Sequence, residues 1–118
     1  MNRLPDPSAT MEVSCSEVAT WATLPENERP RLLDCRQPDE WDICHLDGAH
    51  LLPLGDFPYR IEALKEGVER GVVVYCHHGM RSLRATAFLR DIGVENAFSM
   101  AGGIDAWSRT VDPDLARY

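Results

Sequence analysis

No stretch of this 118-residue chain approaches the roughly 20 consecutive apolar residues of a membrane helix, so a helical span is excluded. The amino end, Met1 to Thr10, lacks the apolar segment of a secretory signal, and a cytoplasmic protein is the expectation. Positive charge is short. Only 12 Lys and Arg stand against 19 Asp and Glu, for a net charge of −7, which disfavours a broad nucleic-acid surface. Net charge says nothing about a single basic cleft. Close cysteine pairs are also missing. Cys15, Cys35, Cys44 and Cys76 stand far apart with no C-x-x-C spacing, which argues against structural zinc and against a disulfide framework. Four reduced thiols, one of them open to a reactive role, is the reading that remains.

What is present is the composition of one globular domain, 44% apolar and 26% charged, with no repeat or low-complexity tract. Residues 1–10, with two prolines and no periodicity, read as a leader that can be loose, and 11–118 as the single domain. Residues 11–13 are a candidate short strand. Ser14 and Glu17 stand at capping-box spacing ahead of Val18, Ala19, Trp21 and Ala22, predicting a short helix. Residues 24–30 read as a loop and 31–35 as a buried strand. Pro38 opens a helix over 38–44, a proline being tolerated at the first helical position. A second short strand follows at 50–52, and a helix at 59–66 that Gly67 ends.

The clearest strand is 71–76: β-branched, continuous and uncharged, as a strand covered on both faces should be. Residues 77–80 make a loop, 81–92 a helix, 96–99 a last strand and 104–109 a last short helix. This alternation predicts an α/β fold with a mostly parallel, five-stranded sheet and helices on both faces. The binding crevice of such a sheet lies beyond the carboxyl ends of its strands. Cys76 sits at that end of the strongest strand.

Cys76 is followed by a short loop containing Gly79 and then by a helix. Backbone N–H groups of a tight loop and of a helix N-terminus cradle anions. Such a field favours thiolate over thiol and lowers a cysteine pKa from about 8.5 toward neutrality. Arg81 adds a permanent positive charge at the far side of the loop. An arginine there opposes the helix dipole, which a local anion would explain. The arrangement predicts a nucleophilic sulfur and a holder for an anion attached to it.

Four segments in order, Leu32-Leu-Asp-Cys-Arg-Gln-Pro-Asp-Glu-Trp41, His45-Leu-Asp-Gly-Ala49, Val72-Val-Val-Tyr-Cys76 through Ser82, and Ala101-Gly-Gly-Ile-Asp-Ala-Trp107, resemble the successive motifs of a rhodanese domain. The resemblance spans residues 11 to 109. It implies a rhodanese-like fold and a single-domain sulfurtransferase, with Cys76 as the catalytic cysteine carrying sulfane sulfur as a persulfide. It further implies His77, His78, Gly79, Met80, Arg81 and Ser82 as the substrate-binding loop. The implied partners are a small sulfur-containing donor, such as thiosulfate or a persulfide, and a thiol or protein-cysteine acceptor. No nucleic acid, membrane, metal or organic cofactor is expected.

Related small phosphatases and arsenate reductases carry one more residue between Cys and Arg. Here only His77, His78, Gly79 and Met80 intervene, a tighter amide ring that suits one sulfur better than a tetrahedral oxyanion. A further alternative is a non-catalytic module that binds a partner protein, against which stand the retained Cys76, Gly79 and Arg81. Cys-His-His invites a metal reading, but consecutive residues of such a loop are not expected to converge on one ion. Asp34, Arg36, Glu40 and His45 are expected to brace the first strand–helix turn, since buried charges come paired. Cys35 lies near the pocket end of the sheet, where a resolving role stays open.

Overall fold

The computed structural model describes residues 4–118. From the amino end the chain forms β1 (Glu12–Val13), α1 (Cys15–Trp21), β2 (Arg31–Asp34), α2 (Pro38–Ile43), β3 (His50–Leu51), α3 (Ile61–Leu64), β4 (Val72–Tyr75), α4 (Met80–Asp91), β5 (Ala97–Met100) and α5 (Gly103–Thr110). The five strands pair in the order β1-β5-β4-β2-β3, every pair parallel. β4 is thus central. Its four residues are all buried, and full burial of each valine contributes about 1.5–3 kcal/mol.

Alternation along β4 divides the core in two. Val72 and Val74 join Leu33, Phe57, Leu64, Ala85 and Leu89 under α3 and α4. Val73 and Tyr75 join Val18, Trp21, Phe98 and Ile104 under α1 and α5. Helices therefore cover both faces, as the strand–helix alternation predicts. No helix among the described residues is long and apolar enough to cross a membrane.

Local chemistry accounts for the starts of α1 and α2. Ser14 caps α1 and Glu17 returns the bond to the Ser14 N–H (2.9 Å), the reciprocal pair of a capping box. Pro38 occupies the first turn of α2, with Glu40 Oε1 accepting from the Gln37 N–H (3.1 Å). The segment expected as one helix over 59–66 is different. A 3-10 turn over Leu54–Tyr59 comes first and α3 has only four residues, with Arg60 between them at φ −130°. The Arg60 N–H closes the turn on the Phe57 carbonyl (3.1 Å), an i→i−3 bond, and the α-helical bonds start only with Leu64 N–H on the Arg60 carbonyl (2.9 Å). The expected loop at 24–30 carries a 3-10 turn over Glu26–Glu28.

Residues 4–10, read from sequence as a leader, lie against the domain. Arg90 donates to the carbonyls of Pro7 (2.8 Å) and Thr10 (2.9 Å), and Leu4 packs beside the α1–α5 cluster. Residues 1–3 of that leader lie outside the described residues.

Candidate active site

Cys76 is the first residue past β4 and is 1% exposed. The chain then turns through His77, His78 and Gly79 into α4. Gly79 occupies the N-cap at φ +108°, a conformation that L side chains rarely adopt. That turn aims donors at the sulfur: the N–H groups of Gly79 and Ser82 point to Cys76 Sγ at 3.1 and 3.4 Å. Ser82 Oγ lies 3.5 Å from Sγ and 2.7 Å from Ser99 Oγ, so a second hydroxyl supports the first.

The start of the loop is anchored from α5. The N–H groups of Ile104 and Asp105, in the first turn of α5, donate to the carbonyls of Cys76 (2.9 Å) and His77 (3.0 Å). Two donors that a helix start leaves free inside the helix are satisfied this way. Gly103 permits the approach. A Cβ there would lie 2.4 Å from the His77 oxygen and 2.5 Å from the Cys76 oxygen.

Cys35 completes the sulfur's surroundings from β2. It is fully buried beside Cys76. Its side chain is the largest influence holding Cys76 down to about 4, with the side chain and N–H of Ser82 and the N–H of Gly79 adding to it against the cost of burial. The nearby Cys76, together with burial, raises the Cys35 thiol. One sulfur is therefore a thiolate and its neighbour the proton holder. The rate of iodoacetamide capture by Cys76 should accordingly stay flat across neutral pH and fall only toward about pH 4. Cys35→Ala removes the largest downward influence and should move that midpoint upward. A wild-type midpoint near the free-thiol value of about 8.5 would refute the assignment.

Arg81 does not point at the sulfur. Both of its terminal nitrogens hold Glu40, at 2.6 and 2.9 Å, a bidentate pair between α4 and α2. Arg81, with help from the Tyr118 hydroxyl, holds the Glu40 carboxyl down to about 2. Glu40 braces its own turn, accepting from the Gln37 N–H, and also ties that turn to the loop's far end. Asp34 and Arg36 brace the turn as well, as a fully buried pair at 2.6 Å whose guanidinium also donates to the Cys44 carbonyl and to Tyr118 Oη. Breaking such a pair typically costs about 3–5 kcal/mol. His45 stacks on Trp41 at 3.8 Å.

Met80 is 70% exposed, and His78 is exposed as well. His77 stacks on Tyr118 at 3.8 Å, and burial, then the neighbouring His78, lower its pKa. Contrary to the sequence expectation, the two histidines do converge: with Asp105 their ligand atoms lie within 4.8 Å of one another. The Asp105 carboxylate, however, already faces Arg117 (3.2 Å) and Arg109 (3.6 Å), whose charges oppose a cation. A cavity of about 450 Å³ lined by Trp21, Arg31 and Arg70 excludes Cys76 and lies toward the amino ends of β2 and β4. Sequence reasoning missed Tyr118, Ser99 and the separate role of Gly103. Of these only the Gly102–Gly103 pair ahead of a helix left a signal.

The family of the rhodanese-like domain matches residues 18–110. The chain belongs to that family. It is 36% identical over 102 residues to the probable adenylyltransferase/sulfurtransferase MoeZ of Mycobacterium tuberculosis, which covers 86% of this chain and 26% of that protein. The thiosulfate sulfurtransferase GlpE of Pseudoalteromonas translucida is 25% identical over 100 residues, 85% of this chain and 93% of the relative. The solved structure of the human single-domain sulfurtransferase TSTD1 superposes with a TM-score of 0.72 at 26% identity, covering 86% of this chain and 97% of that one. This rhodanese-like domain is homologous to sulfurtransferase domains, and it spans only a minor part of the multifunctional relative.

Proposed function

We propose that this rhodanese-like protein is a sulfurtransferase that carries sulfane sulfur on Cys76. The observation that carries the reading is the convergence of Gly79 N–H, Ser82 N–H and Ser82 Oγ on one buried sulfur. Displacement at sulfur needs a thiolate attacker and a stable leaving group. The Cys76 thiolate attacks the outer sulfur of thiosulfate, the S–S bond of the donor breaks, and sulfite leaves with the electron pair. Cys76–S–S⁻ remains, its charge in the amide-lined loop of residues 77–82. Cyanide, or a thiol in a cell, then attacks the outer sulfur and restores the thiolate.

Near-complete burial of Cys76 favours a donor whose reacting atom is a bare terminal sulfur, as in thiosulfate or a small persulfide. Gly79 and Ser82 supply donors, Arg81 supplies long-range positive potential while clamped to Glu40, and His77, His78 and Met80 form the mouth that the acceptor meets. The cytoplasm, where thiol acceptors are kept reduced, is the proposed location.

Incubation with thiosulfate should leave the protein one sulfur atom heavier, and cyanide should return the mass to its start while thiocyanate forms. The four-residue gap between Cys76 and Arg81 favours this chemistry over phosphate-ester hydrolysis, and aryl phosphate should not turn over. Efficient aryl-phosphate hydrolysis with no mass gain would reverse the assignment.

A further inference from the structure

Cys35 forms no bond in the transfer cycle, yet it is placed for chemistry with Cys76. β2 and β4 pair with Asp34 opposite Tyr75, and the Cys35 N–H extends the ladder by donating to the Tyr75 carbonyl (3.1 Å). Cys35 and Cys76 are therefore neighbours across the strand pair, and both enter the core cluster under α4. Neighbouring strands run roughly 4.8 Å apart, inside the Cα separation that disulfides bridge. The sulfur's N–H donors come from the loop and α4, whereas Cys35 comes from the sheet. Cys15 and Cys44 sit in the other cluster, across the sheet.

We propose that Cys35 is a resolving thiol, which displaces the outer sulfur of a Cys76 persulfide when no acceptor intervenes. The step rests on the persulfide of the proposed function. Cys35–SH and Cys76–S–S⁻ give a Cys35–Cys76 disulfide and HS⁻. The Cys35 proton passes to the outer sulfur, the resulting Cys35 thiolate attacks Cys76 Sγ, and the new S–S bond forms as the bond from Sγ to the outer sulfur breaks, so that HS⁻ leaves with the electron pair and the proton. The sulfane sulfur is itself the oxidant: it is reduced to sulfide while the two cysteine sulfurs are oxidised. Before loading, the Cys76 thiolate keeps Cys35 protonated and offers it nothing to attack. Loading moves the charge to the outer sulfur and makes Cys76 Sγ an electrophile. A cellular thiol that reduces the disulfide would restart the protein, so that thiosulfate and two thiols become sulfite, sulfide and a disulfide.

The test loads the protein anaerobically with thiosulfate in one arm and inorganic polysulfide in another, removes the donor, and incubates without thiol or cyanide. Wild type should release one sulfide per Cys76, trapped as its bimane adduct. Its mass should fall from one sulfur above the reduced protein to two hydrogens below it, with Cys35 and Cys76 joined in the peptide map. Cys35→Ser, which keeps a hydrogen-bond donor, and Cys35→Ala, each loaded at a pH above its raised Cys76 midpoint, should both retain the extra sulfur and release none. Cys15→Ser and Cys44→Ser should behave as wild type. A wild-type persulfide that persists, or sulfide release that survives both Cys35 substitutions, overturns the proposal. Loading by polysulfide alone, followed by the crosslink, supports Cys35 and refutes only the thiosulfate donor. Uptake from neither source sinks the sulfurtransferase reading and the resolution step with it.

Discussion

Cys76→Ser should abolish both the mass gain from thiosulfate and the formation of thiocyanate from cyanide, a loss of at least about a thousandfold for a covalent nucleophile. A serine oxygen in the same cradle meets the same N–H groups of Gly79 and Ser82. It stays protonated, because an alcohol ionises far above the range that these donors reach. The substitution is nearly isosteric in a site that is already polar, so the fold should survive. A folded Cys76→Ser protein that still gains sulfur would place the carrier on another thiol. Cys15 and Cys44 are poor substitutes, since they face the opposite side of the sheet. Cys35 is buried and holds its proton, so it lacks the thiolate that the first displacement requires.

Where the sequence carried a local physical signal, the structure follows it. The uncharged valine run became the central strand, the Ser14–Glu17 spacing became a capped helix, and Cys76-x₄-Arg81 became a loop entering a helix. These features are set within a few residues. The rest is set at a distance. Strand order depends on which faces bury together, so β1 beside β5 has no signature in either segment. Arg81 was legible as a charge near an anion site, but not as the partner of Glu40, 41 positions earlier in the chain. Tyr118 lies 78 positions from Glu40 and donates to it at 2.7 Å, a contact that no local pattern announces. The short 59–66 segment went the other way: it read as one helix ended by Gly67, and a 3-10 turn through Tyr59 leaves only Ile61–Leu64 helical.

The largest effect away from the sulfur itself is expected from Gly103→Ala. At φ +63° an alanine carries left-handed strain, and its Cβ would stand 2.4 Å from the His77 carbonyl oxygen and 2.5 Å from that of Cys76. Those neighbours are backbone, so neither can rotate away. The loop must shift, and the bonds from Ile104 N–H and Asp105 N–H to the two carbonyls are lost or stretched. Strain of about 1–2 kcal/mol and two weakened hydrogen bonds of about 0.5–1.5 kcal/mol each give roughly 2–5 kcal/mol of destabilisation. A loop displaced at Cys76 and His77 moves the sulfur relative to the N–H groups of Gly79 and Ser82 that hold it. The thiolate should lose its support, the alkylation midpoint should rise, and sulfur loading at neutral pH should slow sharply. Gly48→Ala is the control. Gly48 has φ +80° but open space where a Cβ would go, so it shares the strain without the collision. Thermal melts and single-turnover loading of both variants separate the two effects. If Gly103→Ala loads sulfur as fast as Gly48→Ala at equal folded fraction, the α5 start does not set the cradle.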